Sequence, residues 1–295
     1  MSGDSQSAGV ARAESLALRA LAQAERPAEG LHLVRWGTNA VFRTADTVVR
    51  LADSDYDTDL LQQQVDLAIW LRSRAFPTAR LLHQGVVDGQ PVTVWERIAE
   101  VREPTMADLA ELARRFHDVT ADYDGSLPEW EPLGRLGVRM DQMEPDRVIT
   151  EQALAQLREV KDHLVNQVRD VDFVLPRGPI HGDIHEGNVL VDSSGPHLID
   201  FDRIARGPRE WDLVEPLAGV VLFGQDDAEW LTFAHRYGYD LREWGPWTEL
   251  LKLRAMFMFS WLLTLQRTPQ VEEEVRTRLA YFLEPEAPLA PWSAI

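Results

Sequence analysis

The sequence contains no cysteine, no long hydrophobic run and very little lysine, since Lys161 and Lys252 are its only lysines among 30 basic residues. The absence of cysteine excludes disulfides, thiol chemistry and cysteine-ligated metal sites. The longest strongly apolar stretch, Ala255 to Leu265, is too short to cross a bilayer and instead indicates a buried helix. The first residues lack the basic and apolar pattern of a signal peptide. We therefore expect a cytoplasmic protein with no membrane partner.

Acidic residues outnumber basic residues by 48 to 30, which gives a formal net charge of −18. Such a charge repels nucleic acids and anionic membranes, so nucleic acid is not expected as a partner. A solvated acidic surface is the simplest explanation of this charge, although it would also favour a cationic partner. The length of 295 residues suits one large unit or two lobes with a sizeable core.

One stretch, residues 178 to 212, carries acid and amide side chains at informative intervals. Asp183 and Asn188 are five residues apart, and Asp200 follows twelve residues after Asn188. The runs 188–192 and 197–201 indicate two short strands around a turn, a hairpin that would bring Asn188 close to Asp200. Because Mg²⁺ takes oxygen ligands from one or two protein groups plus nucleotide phosphates, this pair predicts a metal site.

The spacing of Asp183 and Asn188 also occurs in protein-kinase catalytic loops, between the catalytic aspartate and a metal-binding asparagine. Here the loop reads His181-Gly182-Asp183 where protein kinases have His-Arg-Asp. The stretch therefore resembles the aminoglycoside phosphotransferase and choline kinase-like family. That resemblance implies an α+β, bilobal protein-kinase-like fold, and an ATP- and Mg²⁺-dependent enzyme that phosphorylates a hydroxyl of a small molecule.

The resemblance also implies roles for individual residues. Asp183 would be the catalytic residue, which orients the acceptor hydroxyl and accepts its proton, and Asn188 and Asp200 would hold the metal. His181 and Asp212 would order the loop rather than touch substrate. A zinc interpretation of His181 and His185 has little support, because no third ligand is convincingly placed.

The first hundred residues carry the pattern of the nucleotide-binding lobe. A helical stripe over 8–25 precedes three predicted strands, then a helix over 60–74, and then a hairpin of two more strands. We predict a five-stranded antiparallel sheet with a helix after the third strand, in an N-lobe of residues 1–98. Residues 99–295 are predicted to form a mostly helical C-lobe.

Within the predicted N-lobe, the resemblance indicates five nucleotide-binding residues. Thr38 and Asn39 belong to the turn that would cover the nucleotide, and Arg50 stands where kinases carry a phosphate-binding lysine. Glu96 and Ile98 lie in the segment that would bind adenine through its backbone. The usual glutamate partner of the lysine is missing from the following helix, where Gln64 falls nearest in position and the partner of Arg50 stays open.

The acceptor is predicted only by its chemical class. It would be a small molecule, either an aminoglycoside-like antibiotic or another amine-bearing natural product. A sugar, an amino sugar or an amino alcohol is the alternative, and a nucleotide-binding pseudokinase is a further one. Trp130 would stack on a sugar ring or cover an ammonium group, and two sets of acids would hold a cationic acceptor, although such acids commonly form a solvated face. These acids are Glu129 and Glu131 beside Trp130, and Asp226 and Asp227 after the first C-terminal helix. A monomer and a homodimer both remain open.

Overall fold

The computed structural model describes residues 3–36, 39–52, 56–284 and 291–295. The chain packs into two compact units that alternate along the sequence. Unit 1 consists of Met1–Asp108, Asp118–Leu127 and Glu186–Ile204, and unit 2 consists of Leu109–His117, Pro128–His185 and Ala205–Ile295. The predicted lobes, 1–98 and 99–295, are contiguous segments and stay a prediction.

Unit 1 is built on a five-stranded antiparallel sheet, as predicted, with the strand order β1-β2-β3-β5-β4. Its strands are β1 (His32–Trp36), β2 (Asn39–Arg43), β3 (Thr47–Ala52), β4 (Leu81–Val87) and β5 (Gln90–Glu96). The β2–β3 register pairs Val41 with Arg50, and the β3–β5 register pairs Arg50 with Thr93. Arg50 therefore lies in the middle of the central strand.

Two helices accompany this sheet. Helix α1 (Gly3–Gln23) buries an apolar stripe against the sheet, and helix α2 (Thr58–Ser73) follows β3. The buried residues of α1 recur at helical spacing, as in any amphipathic helix: Ala13, Leu16, Ala17, Ala20 and Leu21. Helix α2 begins after Asp57, whose carboxylate accepts hydrogen bonds from the backbone N–H groups of Asp59 and Leu60.

Unit 1 also contains the predicted hairpin. Strands β7 (Val189–Asp192) and β8 (Gly195–Leu198) are antiparallel, and a short 3₁₀ helix, Glu186–Asn188, precedes them. The second strand covers 195–198 instead of the predicted 197–201, and the Ile199 N–H extends the pairing by donating to the carbonyl of Asn188 at 3.0 Å. Asp200 then adopts a left-handed conformation, with φ at 67°.

Unit 2 is mostly helical. Helix α3 (Met106–Val119) leads into it, and its other helices are α4 (Gly134–Asp141), α5 (Glu151–Arg169), α6 (Glu210–Phe223), α7 (Asp227–Tyr237), α8 (Trp247–Leu262) and α9 (Pro269–Leu283). Helix α8 packs against α4, α5, α6 and α9. Its position explains the long apolar run from Ala255 onward, because a helix enclosed on several sides has little need of a polar face.

Three elements of unit 2 are absent from the sequence-based prediction. Strands β6 (Gly178–Ile180) and β9 (Ala205–Gly207) form a small antiparallel ladder on either side of the predicted hairpin in sequence. Helix α4 lies in a stretch that the sequence predicts as loop. With a sheet in one unit and mostly helices in the other, the predicted α+β class is confirmed. No described helix is long and apolar enough to span a membrane.

Candidate active site

Unit 1 contains a cleft of about 270 Å³. Most of its lining is apolar, from Val34, Val41, Val48, Ala79, Trp95, Ile98, Leu190, Ile199 and Phe201. The polar lining comes from Arg35, Arg50, Gln64, Thr78, Glu96, Asn188 and Asp200. An apolar pocket with a few convergent polar groups is the usual form of a small-molecule site. Five residues that the sequence predicts for nucleotide or metal line this one cleft, namely Arg50, Glu96, Ile98, Asn188 and Asp200.

Arg50 is paired with carboxylates of the segment that follows β8. Its Nη2 atom donates to Asp202, and its Nη1 atom lies 3.7 Å from Asp200 Oδ1. Helix α2 offers no such partner at the predicted position, because the Gln64 amide donates instead to the Tyr56 hydroxyl at 2.7 Å. The partner that the sequence left open is therefore Asp202.

Burial raises the pKa of Asp202, and the neighbouring carboxylate of Asp200 acts in the same direction. The charge of Arg50 opposes this shift. Asn39 adds a neutral contact, since its Nδ2 atom donates to Asp202 Oδ2 at 3.1 Å. Thr38, the other residue predicted in the covering turn, lies outside the described residues.

The oxygen atoms of this segment suit a hard cation. The Asp200 and Asp202 Oδ1 atoms are buried without a hydrogen bond, and Asn188 is 6% exposed. Unsatisfied buried carboxylate oxygens are costly, so such atoms indicate room for a ligand that supplies positive charge. The described residues contain no group of three or more histidine or acidic side chains that could hold a metal. A Mg²⁺ site completed by phosphates and water does not need one.

Glu96, the last residue of β5, contacts Arg80 through both its backbone and its side chain. Glu96 donates its N–H to the Arg80 carbonyl at 2.8 Å, and its side chain forms an exposed ion pair with the Arg80 guanidinium at 3.2 Å. Its carboxylate is therefore already paired with the Arg80 guanidinium. Any contribution of Glu96 to a bound base would come from its carbonyl oxygen.

In unit 2, Asp212 holds the loop that carries Asp183. The Asp212 carboxylate is fully buried and accepts hydrogen bonds from the backbone N–H groups of His181, at 2.8 Å, and Gly182, at 2.7 Å. Gly182 has a φ of 82°, a conformation that suits glycine. His117, which the sequence analysis did not single out, lies with Nε2 2.9 Å from Asp212 Oδ2. Its other ring nitrogen lies 2.8 Å from the Tyr237 hydroxyl, so the imidazole is held at both ends.

Asp183 lies beside a buried cation in unit 2. Nη2 of Arg254, on helix α8, is 3.0 Å from Asp183 Oδ1, and Arg254 also pairs with Glu215 of helix α6. His185 Nε2 lies 3.7 Å from Asp183 Oδ2. The sequence analysis named neither Arg254 nor Glu215. The available signal was a single arginine in the middle of an apolar helix, which by itself indicates no role.

The residues predicted for acceptor binding all have local structural contacts within unit 2. Trp130 packs against Trp211 and Phe173, with ring centroids 5.3 and 6.1 Å apart. The four acids are engaged as follows: Glu129 with Arg177 at 2.8 Å, Glu131 with Arg169 at 3.4 Å, Asp226 with the Ala228 N–H at 2.9 Å, and Asp227 with Arg242 at 2.7 Å. Their role in acceptor binding stays a prediction.

The chain matches the model of a known protein family. The model of the phosphotransferase enzyme family matches residues 32–250, which include both the cleft and the Asp183 loop. The chain belongs to this family, and it is an ATP-dependent small-molecule kinase, as predicted. No curated protein matches it.

Solved structures agree with this assignment at the level of the fold. The amicoumacin kinase hAmiN, in complex with AMP-PNP, Ca²⁺ and Ami, is 16% identical with a TM-score of 0.75, over 97% of this chain and 98% of that one. A choline/ethanolamine kinase family protein from Mesorhizobium loti is 17% identical with a TM-score of 0.63, over 95% and 96%. APH(3'')-Id from Streptomyces rimosus, in complex with ADP and streptomycin, is 19% identical with a TM-score of 0.59, over 80% and 97%. The predicted kinase-like fold is confirmed, and the predicted ATP and divalent metal agree with these complexes.

Proposed function

We propose that this kinase transfers the γ-phosphoryl group of ATP to a hydroxyl of an amine-bearing small molecule, such as an aminoglycoside-like antibiotic. The observation that carries the proposal is the cleft of unit 1, in which an apolar wall is combined with Arg50, Asn188 and Asp200. This combination supports binding of a flat base and an anionic phosphate chain in one pocket.

The nucleotide would use the cleft as follows. The adenine would lie against the apolar lining and bind backbone atoms of Glu96 and Ile98. Arg50 would bind phosphate oxygens, because its planar guanidinium presents paired donors that match phosphate geometry. Asn39 and Thr38 would complete the phosphate site from the preceding turn.

Asn188 and Asp200 would hold Mg²⁺. Held there, the ion would supply positive charge that offsets the negative charge of the phosphates. The buried Oδ1 atom of Asp200, which has no hydrogen bond, supports this assignment. Asp202 would remain with Arg50, whose guanidinium it already binds.

Asp183 would orient the acceptor hydroxyl and take up its proton. In the reaction, the acceptor oxygen forms a bond to the γ-phosphorus, and the bond from that phosphorus to the bridging oxygen of ADP breaks. The hydroxyl proton moves to the Asp183 carboxylate and then to solvent, which leaves a phosphate ester, ADP and a proton. The rigid support of the loop by Asp212 favours this role, because positioned groups contribute most to phosphoryl transfer.

The choice of an amine-bearing acceptor rests on three observations. The net charge of −18 attracts cations. Four acids in unit 2 flank the partly buried Trp130 or lie at the start of helix α7. Several proteins of the same fold are described as kinases of amine-bearing molecules, including choline and streptomycin.

A panel of acceptors tests this function directly. Purified protein would be incubated with Mg·ATP and aminoglycosides, an aminocyclitol, choline, ethanolamine or neutral sugars, with ADP release and the product's mass as readouts. Each amine would be matched with its N-acetylated form. We expect phosphorylation of at least one amine and a weaker reaction of its acetylated form. Efficient phosphorylation of a neutral sugar alone would replace the proposed acceptor class, and failure to bind Mg·ATP would contradict the proposal.

A further inference from the structure

Helix α8 places a buried arginine at the catalytic loop of unit 2. The Arg254 side chain is 2% exposed, and its Nη2 atom contacts the carboxylates of both Asp183 and Glu215. Its guanidinium also lies over two aromatic rings, 4.5 Å from the centre of Phe257 and 5.4 Å from that of Trp211. The arginine is therefore fixed on several sides.

Joining helices α6 and α8 would not require Arg254 to contact two carboxylates. Burial of a charged side chain is unfavourable unless partners offset its desolvation. Glu215 of α6 would be a sufficient partner for Arg254 of α8. The second carboxylate belongs to Asp183, on a loop, and it faces a cation that the helices hold in place.

The two N–H bonds of a guanidinium nitrogen have fixed directions in the plane of the group. Nη2 donates to Asp183 Oδ1 and also pairs with Glu215, so both carboxylates lie beside the same guanidinium nitrogen. Lysine could supply the same charge, but its ammonium is carried on a flexible stem without a planar fork.

We propose that Arg254 is a positioning residue for phosphoryl transfer. It binds Oδ1 of Asp183 and thereby directs Oδ2 to the acceptor hydroxyl, while Glu215 pairs with the same guanidinium nitrogen. This inference rests on the proposed function, because it assigns to Arg254 an effect that acts through Asp183.

The competing explanation is a structural role, in which Arg254 only joins α6 to α8. A double-mutant cycle separates the two, because residues that act as one unit show non-additive effects. Wild type, R254Q, D183N and the double variant would be compared. The probe is Mg·ATP with water as the acceptor, followed by phosphate release, together with Mg·ATP affinity and thermal unfolding of each variant.

Arg278 supplies the matched control. It is also a buried arginine of unit 2, with Nε 2.7 Å from Glu274 Oε1 and its guanidinium 4.4 Å from the centre of the Trp292 ring. Its partners are none of the residues assigned to the reaction. R278Q should therefore lower the melting temperature without lowering kcat of the folded protein.

We expect R254Q to lower kcat by about 100-fold, the order of effect that a small misplacement of a reacting group produces. Its affinity for Mg·ATP should stay at the wild-type value, and R254Q should cause no further loss in the D183N background. R254K should lose less, about tenfold, since it keeps the charge but not the fork. If R254Q does not fold, R254K is carried through the same cycle.

The inference would be overturned if R254Q lowered kcat by the same factor in the wild-type and D183N backgrounds. It would also be overturned if R254Q kept the same kcat as R278Q. Either result would leave the proposed function standing if D183N alone removes turnover. Full turnover by D183N would instead remove Asp183 from the reaction, and both the role of Asp183 and this inference would fall.

Discussion

Arg50, on the central strand of the sheet, is bound by Asp202, the second carboxylate of the Asp200-Phe201-Asp202 sequence. Its guanidinium is thus held by the segment that carries the proposed metal ligand rather than by helix α2. The position on α2 that could have carried a glutamate has Gln64, and this side chain bonds to Tyr56. The proposed phosphate-binding cation and the segment that carries the proposed metal ligand are therefore joined by a direct contact.

The phosphate role of Arg50 can be tested by substitution. Arg50→Ala should raise KM for ATP by about 10- to 100-fold, which corresponds to the loss of a charge-assisted hydrogen bond of roughly 1.5–3 kcal/mol. Arg50→Lys should be milder, because it keeps the charge. Arg43→Ala is the matched control, since Arg43 lies on the neighbouring strand and bonds to His32 at 2.7 Å. Unchanged ATP kinetics in Arg50→Ala would move phosphate binding to another residue, with Arg35 the next candidate.

The metal assignment predicts a difference between two ligands. Asn188→Ala and Asp200→Ala should both weaken nucleotide binding in the presence of Mg²⁺, and Asp200→Ala should weaken it more because it removes a charge from beside the cation. Titration of ATP with and without Mg²⁺ measures both effects. In the absence of metal, the variants should approach the wild-type affinity. If Asp200→Ala bound Mg·ATP as tightly as wild type, Asp200 would not be a metal ligand.

Acid sensitivity should arise partly at the start of helix α3. Hydrogen bonding from Arg102, at 2.7 and 2.9 Å, lowers the pKa of Asp108 from 3.8 to about 2, and Thr105 adds further bonds. Because the folded-state pKa is depressed, the stabilisation is present above about pH 4 and is lost as the pH falls toward 2. After allowance for partial exposure, we expect about 1–2 kcal/mol from this carboxylate.

Urea unfolding of wild type and Asp108→Asn measures this contribution. The difference in unfolding free energy between the two proteins should be largest at neutral pH and should shrink by that amount between pH 5 and pH 2. Asp66→Asn, an exposed substitution with the same charge change, serves as the control. A difference that does not change with pH would contradict the assignment to Asp108.

A cationic acceptor should also make the reaction sensitive to salt. Surface charge attracts such a molecule over a Debye length of about 10 Å at 0.1 M ionic strength. We expect kcat/KM for the amine-bearing acceptor to fall as ionic strength rises past this value, and kcat/KM for its N-acetylated form to change less. The same salt dependence for both forms would show that charge does not guide the acceptor.

The sequence predicts the larger elements well because their signals are long. The stripe Ala13–Leu21 repeats at helical spacing, and the five strands of the sheet alternate between turns. Strands β6 and β9 escape prediction because each has three residues and pairs with a distant partner. Helix α4 escapes it because Gly134 and Gly137 lower the helical propensity of that stretch.

The residues of the candidate site also differ in how far the sequence can predict them. Asn188 and Asp200 are predictable because a hairpin of known spacing brings them together. Asp202, His117 and Arg254 are not, since their importance comes from contacts with residues at least 71 positions away in the chain. A single sequence records no such contacts, and an arginine inside an apolar helix has no distinctive local pattern.

The account depends most on Asp183, and one comparison tests it directly. Wild type and Asp183→Ala would each be incubated with Mg·ATP and the acceptor identified in the panel. Product formation and Mg·ATP affinity would be measured for both proteins. We predict a loss of transfer of about 10²- to 10⁴-fold, the usual contribution of a general base. Mg·ATP affinity should be retained, because Asp183 is not among the residues that line the cleft. Near wild-type kcat in Asp183→Ala would contradict the account.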